Sequence, residues 1–137
     1  MEDGRANMKQ ESERRYDLED RLLDYAVRIL KLCESLPKTL VGKHMSGQLL
    51  RSGTAPLSHH GEAQAAESAE DFRHKMKLAL KELKESWRWL RLIERSEIIS
   101  PGTKLAPLRK ETDELTRIFA ASIKTSQIKS RQKTPIV

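Results

Sequence analysis

The clearest helical periodicity in the chain belongs to residues 68–96, SAEDFRHKMKLALKELKESWRWLRLIERS. Ser68 can cap this helix, and Glu70 and Asp71 suit the positive end of its dipole. Apolar side chains return every three or four residues, as one buried helix face requires. The members of this stripe are Phe72, Met76, Ala79, Leu80, Leu83, Trp87 and Leu90. The segment therefore predicts a long amphipathic helix.

Three further segments have a helical pattern, and none alternates with the period of a strand. The first covers residues 14–36, where Leu23, Val27 and Leu30 widen the apolar face and suggest contact on two sides. The last covers residues 103–126. Four amphipathic helices with short connections predict an all-α, up-down-up-down four-helix bundle.

The second segment, residues 38–66, admits two interpretations. It contains four glycines and Pro56, and propensity alone predicts a break near Gly53. Small residues also let two helices approach closely, and an internal proline can kink a helix without ending it. A split helix and a long kinked helix both remain open at this point.

The length of 137 residues suits one domain, here residues 14–126, with flexible tails at 1–13 and 127–137. The 26 lysines and arginines outnumber 20 acidic residues, so the net charge is +6. No acidic residue follows Glu114, which leaves Arg117, Lys124 and a basic C-terminal tail. Such an end suits nucleic acid or another polyanion. The alternative interpretation is that this charge only keeps a disordered terminus soluble.

A basic line runs along the third helix at spacings of 4, 3, 4, 3 and 4 residues. Its members are Lys77, Lys81, Lys84, Arg88, Arg91 and Arg95. At 1.5 Å per residue the line is about 27 Å long, and it could follow a row of phosphates. The alternative is a solvated helix face that Glu82 and Glu85 partly neutralise. We predict nucleic-acid contact along this line, with Arg117 and Lys124 adding charge.

Several apolar residues of the third helix lie on neither the core face nor the basic line. Leu78, Trp89 and Leu92 lie about 130° to 170° from the centre of the core face, and Ile93 lies between them and the core. Tryptophan is a favoured anchor of interfaces between proteins. These four residues are a predicted subunit interface, unless the chain termini cover them.

The residues that could support catalysis or metal binding form no established pattern. His59 and Glu62 share a helix face and His60 is adjacent, but di-iron bundles need paired Glu-x-x-His motifs, which this sequence lacks. The only cysteine, Cys33, lies on an apolar stripe and suits a buried structural role. We therefore expect no catalytic residues, no metal and no cofactor. A bundle enzyme or metal carrier using these histidines is the third-ranked hypothesis.

The N-terminal residues show no signal peptide, and no apolar run is long enough to span a bilayer. We therefore expect a cytoplasmic protein without a membrane partner.

Three stretches together resemble a known family. The most specific is Gln48–Thr54, QLLRSGT, followed by Gly61-Glu62-Ala63 and then by Glu67-Ser68 before Asp71-Phe72. With the first and last helices, about residues 16–126 resemble the bacterial four-helix-bundle proteins first noticed as reading frames in intervening sequences of 23S rRNA genes. The resemblance implies that the second helix is long and kinked through this region, and it identifies no catalytic residues.

The resemblance also implies an assembly. Relatives form ring-shaped homopentamers, and a related branch is the accessory variability determinant of diversity-generating retroelements, a basic bundle that works with a reverse transcriptase and nucleic acid. Family members commonly carry Asn where this chain has His59. Our preferred hypothesis is a non-enzymatic homo-oligomer that binds RNA or DNA. The alternative is a protein-interaction scaffold, or an accessory subunit recruited by a larger nucleic-acid enzyme.

Overall fold

Four α-helices follow one another in the computed structural model, which describes the backbone of residues 3–133 and the side chains of residues 18–132. They are α1 (Asp3–Ser35), α2 (Leu40–Gln64), α3 (Ala69–Ser96) and α4 (Ala106–Lys133), with a 3₁₀ turn at Gly102–Leu105 before α4. No strand occurs within this described part. The predicted all-α four-helix bundle is confirmed.

The order of packing follows the order of the chain. The helix α2 packs against both α1 and α3, and α3 also packs against α4. The helices α1 and α4 approach each other less closely and are joined by long side chains. Arg21 of α1 forms ion pairs with Glu111 and Glu114 of α4. Short connections force successive helices to be antiparallel, which produces the up-and-down arrangement.

Hydrogen-bonded polar side chains cross the buried centre of the bundle. Ser86 of α3 donates to Ser52 Oγ of α2 at 2.8 Å, and the Tyr25 hydroxyl of α1 lies 2.7 Å from Thr112 Oγ1 of α4. All four side chains are buried. Burial raises the pKa of Tyr25 to about 12, although its hydrogen bonds with Thr112 and Ser86 act in the opposite direction. Each helix therefore supplies one partner to a specific central layer.

The second helix runs without a break through the segment where propensity predicted one. Pro56 lies inside α2, and its ring is almost completely buried. That burial offsets the backbone hydrogen bond that a proline cannot donate. The long second helix implied by the resemblance is therefore observed.

The QLLRSGT motif fastens α2 to its two neighbours. Arg51 forms ion pairs with Glu82 and Glu85 of α3. The next residue, Ser52, accepts the hydrogen bond from α3 described above. Gly53 faces α1, where an added Cβ atom would lie only 2.7 Å from two side-chain carbons of Ile29. The most specific part of the motif thus serves helix packing.

Two predicted helix ends were wrong. The helix α1 begins at Asp3 rather than Arg14, and α4 ends at Lys133 rather than Ser126. Much of each predicted tail is therefore helical, while residues 1–2 and 134–137 lie outside the described part. At the C-terminal end the cause is visible. Arg73 of α3 donates to the carbonyl and hydroxyl oxygens of Ser126 and to the hydroxyl of Ser130, which holds an extra turn of α4 against α3.

Candidate nucleic-acid interface

The basic line lies on the outward side of α3. All six of its side chains are exposed, whereas Met76, Leu83 and Leu90 of the same helix are almost completely buried. At 100° per residue the centre of the line is about 120° from the centre of these core positions. Neither α2 nor α4 covers the line, so a ligand can approach it along its length.

Neighbouring helices bind the acidic side chains that flank the basic line. Glu82 accepts from Arg51 of α2 at 2.9 Å, and Glu85 pairs with the same guanidinium. Near the C-terminal end of α3, Glu94 pairs with Arg109 of α4 at 2.9 Å. Among the described side chains, no cation of the basic line forms an ion pair. The sequence could suggest that Glu82 and Glu85 neutralise the line, but the fold gives them another partner.

A shallow groove of about 450 Å³ runs between the first cations of the line. Lys77, Lys81, Lys84 and Arg88 line it together with Leu80 and Glu85. Farther along, the Arg91 guanidinium lies 5.2 Å from the centre of the Trp87 ring, a cation–π contact that orients it. The groove can accept an extended anion among exposed lysines.

The two predicted cations of α4 have different surroundings. Arg117 pairs with Asp113 at 2.9 Å, one turn earlier in the helix, so part of its charge is already compensated. Lys124 is exposed and forms no ion pair with any described side chain. The α3 line is accordingly the stronger source of positive potential.

The structure separates the four residues of the predicted subunit interface. Ile93 is completely buried in the core of this chain, so it presents no surface to a second chain. Trp89 is half-buried and makes an edge-to-face contact with His44 of α2, with ring centres 5.8 Å apart. Leu78 is half-buried and Leu92 is exposed. Contact of these last three residues with a second chain stays a prediction.

Exposed apolar residues of α2 and α3 lie at the level of Leu92. The antiparallel register set by the His44–Trp89 contact puts Val41 of α2 at the level of Leu92. Leu40, Val41 and Leu92 are all exposed, and Leu40 is the most exposed of them at 88%. We call these three residues the Leu92 patch. Sequence periodicity identified only its α3 member, because Leu40 and Val41 lie at the start of a helix with an irregular pattern.

A second exposed apolar surface lies on α1. Leu23, Val27 and Leu30 follow one another at helical spacing and are 39–49% exposed. We call them the α1 stripe. Since Ser46 donates to the Cys33 carbonyl and Gly53 contacts Ile29, the exposed Leu50 of α2 lies at the level of Leu30. The sequence suggested that α1 has contacts on two sides. Among the described residues, α2 and α4 contact α1 and leave the α1 stripe exposed.

The two histidines considered for metal binding lie in different environments. His59 Nδ1 lies 3.1 Å from Glu62 on the surface, and hydrogen bonds with Lys75 and His59 hold the pKa of the Glu62 carboxyl below its usual value. His60 is buried beside Phe119 instead. Within the described residues, no group of three or more potential metal ligands occurs.

Cys33 is a packing residue. Its thiol is half-buried against the core, and its Sγ lies 3.5 Å from the Ser46 carbonyl oxygen. Burial raises the pKa of the Cys33 thiol to about 11, so the reactive thiolate is scarce at neutral pH. In the part of the chain that the structure describes, no helix is long and apolar enough to cross a membrane.

Comparison with known proteins gives two consistent results. The family model of the 23S rRNA-intervening sequence protein matches residues 14–121. A crystal structure of a protein of unknown function from the S23 ribosomal protein family of Bacteroides thetaiotaomicron is 34% identical. The match covers 80% of this chain and 97% of that one, with a TM-score of 0.73. No curated protein matches the chain. Neither matching description names an enzymatic activity.

Proposed function

The chain belongs to the 23S rRNA-intervening sequence protein family, and we propose that it is a non-enzymatic, self-associating protein that binds nucleic acid through the basic line of α3. The name of the family describes where its genes were found and assigns no activity. The proposal therefore rests on the surface of this chain. The proposed ligand is RNA or DNA, and the proposed location is the cytoplasm.

The observation that carries the proposal is the separation of charge on α3. Arg51 pairs with Glu82 and Glu85, and Arg109 pairs with Glu94, so these three acidic side chains have cationic partners on neighbouring helices even where Glu85 lines the groove. A solvated helix face with interleaved charges would neutralise itself. Here none of the six cations forms an ion pair with a described side chain over about 27 Å, which favours a long polyanion.

Contact with phosphates would be driven mainly by the release of counterions. Each phosphate neutralised on duplex DNA contributes about −0.9 to the slope of log affinity against log salt, and about −0.7 on a single strand. Six exposed cations on one chain support a weak, salt-sensitive interaction. Several copies in one assembly would add their contacts through multivalency.

The test is a salt titration with short labelled RNA and DNA. We expect the affinity of the unmodified chain to fall linearly with log salt. The variant K77E/K81E/K84E should bind at least tenfold more weakly at about 50 mM salt, with a slope smaller by about 3. These lysines are exposed, and none of them has a described ion pair or side-chain hydrogen bond. Reversing them should leave the fold intact.

A matched control separates the position of the charge from its amount. The variant K38E/K43E/K110E reverses three exposed lysines outside the basic line and changes the net charge equally. It should retain most of the affinity. Equal loss in the two variants would show that only total charge matters. Absence of binding by the unmodified chain at low salt would overturn the proposal and favour the accessory-subunit function.

A further inference from the structure

An aliphatic cavity of about 530 Å³ lies at the end of the bundle away from the C-terminus of α4. It opens between the last turns of α1 and the turn that joins α3 to α4. Its floor consists of Leu32, Ile98, Ile99, Leu105 and Leu108. Leu105 and Leu108 belong to the buried core, and the other three pack against it. No residue of the basic line takes part, so this is a separate site.

The rim of the cavity is positively charged. Arg28 and Lys31 line it from α1, and Lys104 lines it from the 3₁₀ turn. No acidic side chain among residues 18–132 lines the cavity. Among the described side chains, none forms an ion pair with these three cations. An apolar floor and an uncompensated cationic rim therefore meet at one opening.

We propose that this cavity binds an aliphatic carboxylate: an acyl chain on the leucine and isoleucine floor, with its carboxylate at Arg28, Lys31 and Lys104. The volume is within the range of about 300 to 1,000 Å³ that small-molecule sites occupy. A nucleobase fits less well because no aromatic ring of the described side chains lines the cavity for stacking. Lysine and arginine donors at the rim supply charge-assisted hydrogen bonds that an uncharged alcohol would not obtain.

The probe is decanoate, followed by the methyl NMR signals of Ile98 and Ile99 in the full-length chain. We expect these signals to shift in a saturable manner, with smaller or no shifts for methyl groups outside the cavity. The comparison ligand is 1-decanol, which has the same chain length and no charge. It should bind at least tenfold more weakly. No shift with decanoate, or equal binding of the two ligands, would overturn the proposal.

Variants test the contribution of the rim. The change K31E/K104E should weaken decanoate binding at least tenfold, because it reverses two of the three cations while leaving the floor unchanged. The control K43E/K110E makes the same change in net charge at exposed positions that do not line the cavity, and should bind normally. Equal affinities in the two variants would refute the role of the rim.

The outcome is independent of nucleic-acid binding. The K31E/K104E variant should keep most of its nucleic-acid affinity, because the basic line is untouched. The K77E/K81E/K84E variant should bind decanoate normally. Failure of either proposal therefore leaves the other one standing.

Discussion

Two glycines of α2 differ in whether an added side chain would collide with a neighbouring helix. Gly53 and Gly47 are both inside α2, but only Gly53 faces another helix. A Cβ atom at residue 53 would lie 2.7 Å from Cγ1 and Cγ2 of Ile29, which is completely buried and branched at Cβ. Those carbons sit close to the α1 backbone and have little room to move. A Cβ atom at residue 47 would meet no heavy atom within 4 Å.

These environments predict opposite effects of the same substitution. Gly53→Ala should lower the free energy of unfolding by about 1–3 kcal/mol through overpacking against Ile29. Gly47→Ala should raise it by up to about 1 kcal/mol, because alanine is a better helix former. Urea unfolding of the two variants measures both changes. Equal stability of the variants would contradict the close approach of α1 and α2.

The burial of His60 predicts that the stability of the fold depends on pH. It is buried beside Phe119, and its Nδ1 atom has no described hydrogen-bond partner. Burial lowers the pKa of His60, while the charge of Glu19 acts in the opposite direction. An unfolded histidine takes up its proton near pH 6.5, and the folded one does so only at lower pH. The unfolded state therefore binds more protons between these two values.

Stability should accordingly fall as the pH falls below about 6.5, by at most about 1.4 kcal/mol per pH unit for this one proton. His60→Leu should flatten this part of the curve. Replacing the exposed His74 by Gln should not. Urea unfolding at pH 7.5 and 5.5 gives the comparison. A slope that survives in His60→Leu would assign the effect to other groups.

At the scale of helices, periodicity correctly predicted the features that depend on residues close together in the sequence. The amphipathic pattern of α3 correctly predicted the buried positions Met76, Ala79, Leu83 and Leu90 and the exposed basic line. Trp87 of the predicted stripe lies outside the buried core, where its ring contacts Arg91. The end of α4 was missed because its cause is distant in sequence: Arg73 holds Ser126 and Ser130 across the α3–α4 contact. Low propensity at the QLLRSGT motif was likewise overridden by tertiary packing, since the residues that break a helix pattern here are those that let α1 and α3 approach.

The candidate interface was predictable only in part for the same reason. Spacing alone identified the six cations, but the pairing of Glu82 and Glu85 with Arg51 needs two helices in register. The sequence could not distinguish a self-neutralised helix face from one whose acidic residues are held elsewhere. Ile93 was assigned to the subunit interface for a related reason. The angular position of a residue on its own helix does not show how far a neighbouring helix extends over it.

At the scale of the molecule, two exposed apolar surfaces lie on different helices. The α1 stripe lies on α1, and the Leu92 patch lies across α2 and α3. Exposed apolar patches on a folded chain commonly mark interaction sites. If a second copy of this chain covers them, the contact between unlike surfaces is head-to-tail, and such a contact closes into a ring when the rotation allows. This geometry would repeat the basic line around the assembly.

Charge substitutions at the two surfaces distinguish the modes of association. In a head-to-tail ring, Val27→Glu and Leu92→Glu should each yield single chains, because each destroys one side of every contact. Mixing the two variants should then restore one contact and produce particles of two chains. The expected masses differ enough for light scattering to separate them. Far-UV circular dichroism should confirm that both variants keep their helices, since both positions are exposed.

Other outcomes have definite meanings. If only one variant dissociates, the contact pairs one surface with itself and the assembly is a dimer with twofold symmetry. If both variants keep the parent mass, neither surface holds the copies together. A monomeric parent would refute self-association. The two apolar surfaces would then be candidate binding sites for a different protein. In a ring, the single-chain variants should also lose the part of the nucleic-acid affinity that multivalency supplies, although every cation of the basic line remains in place.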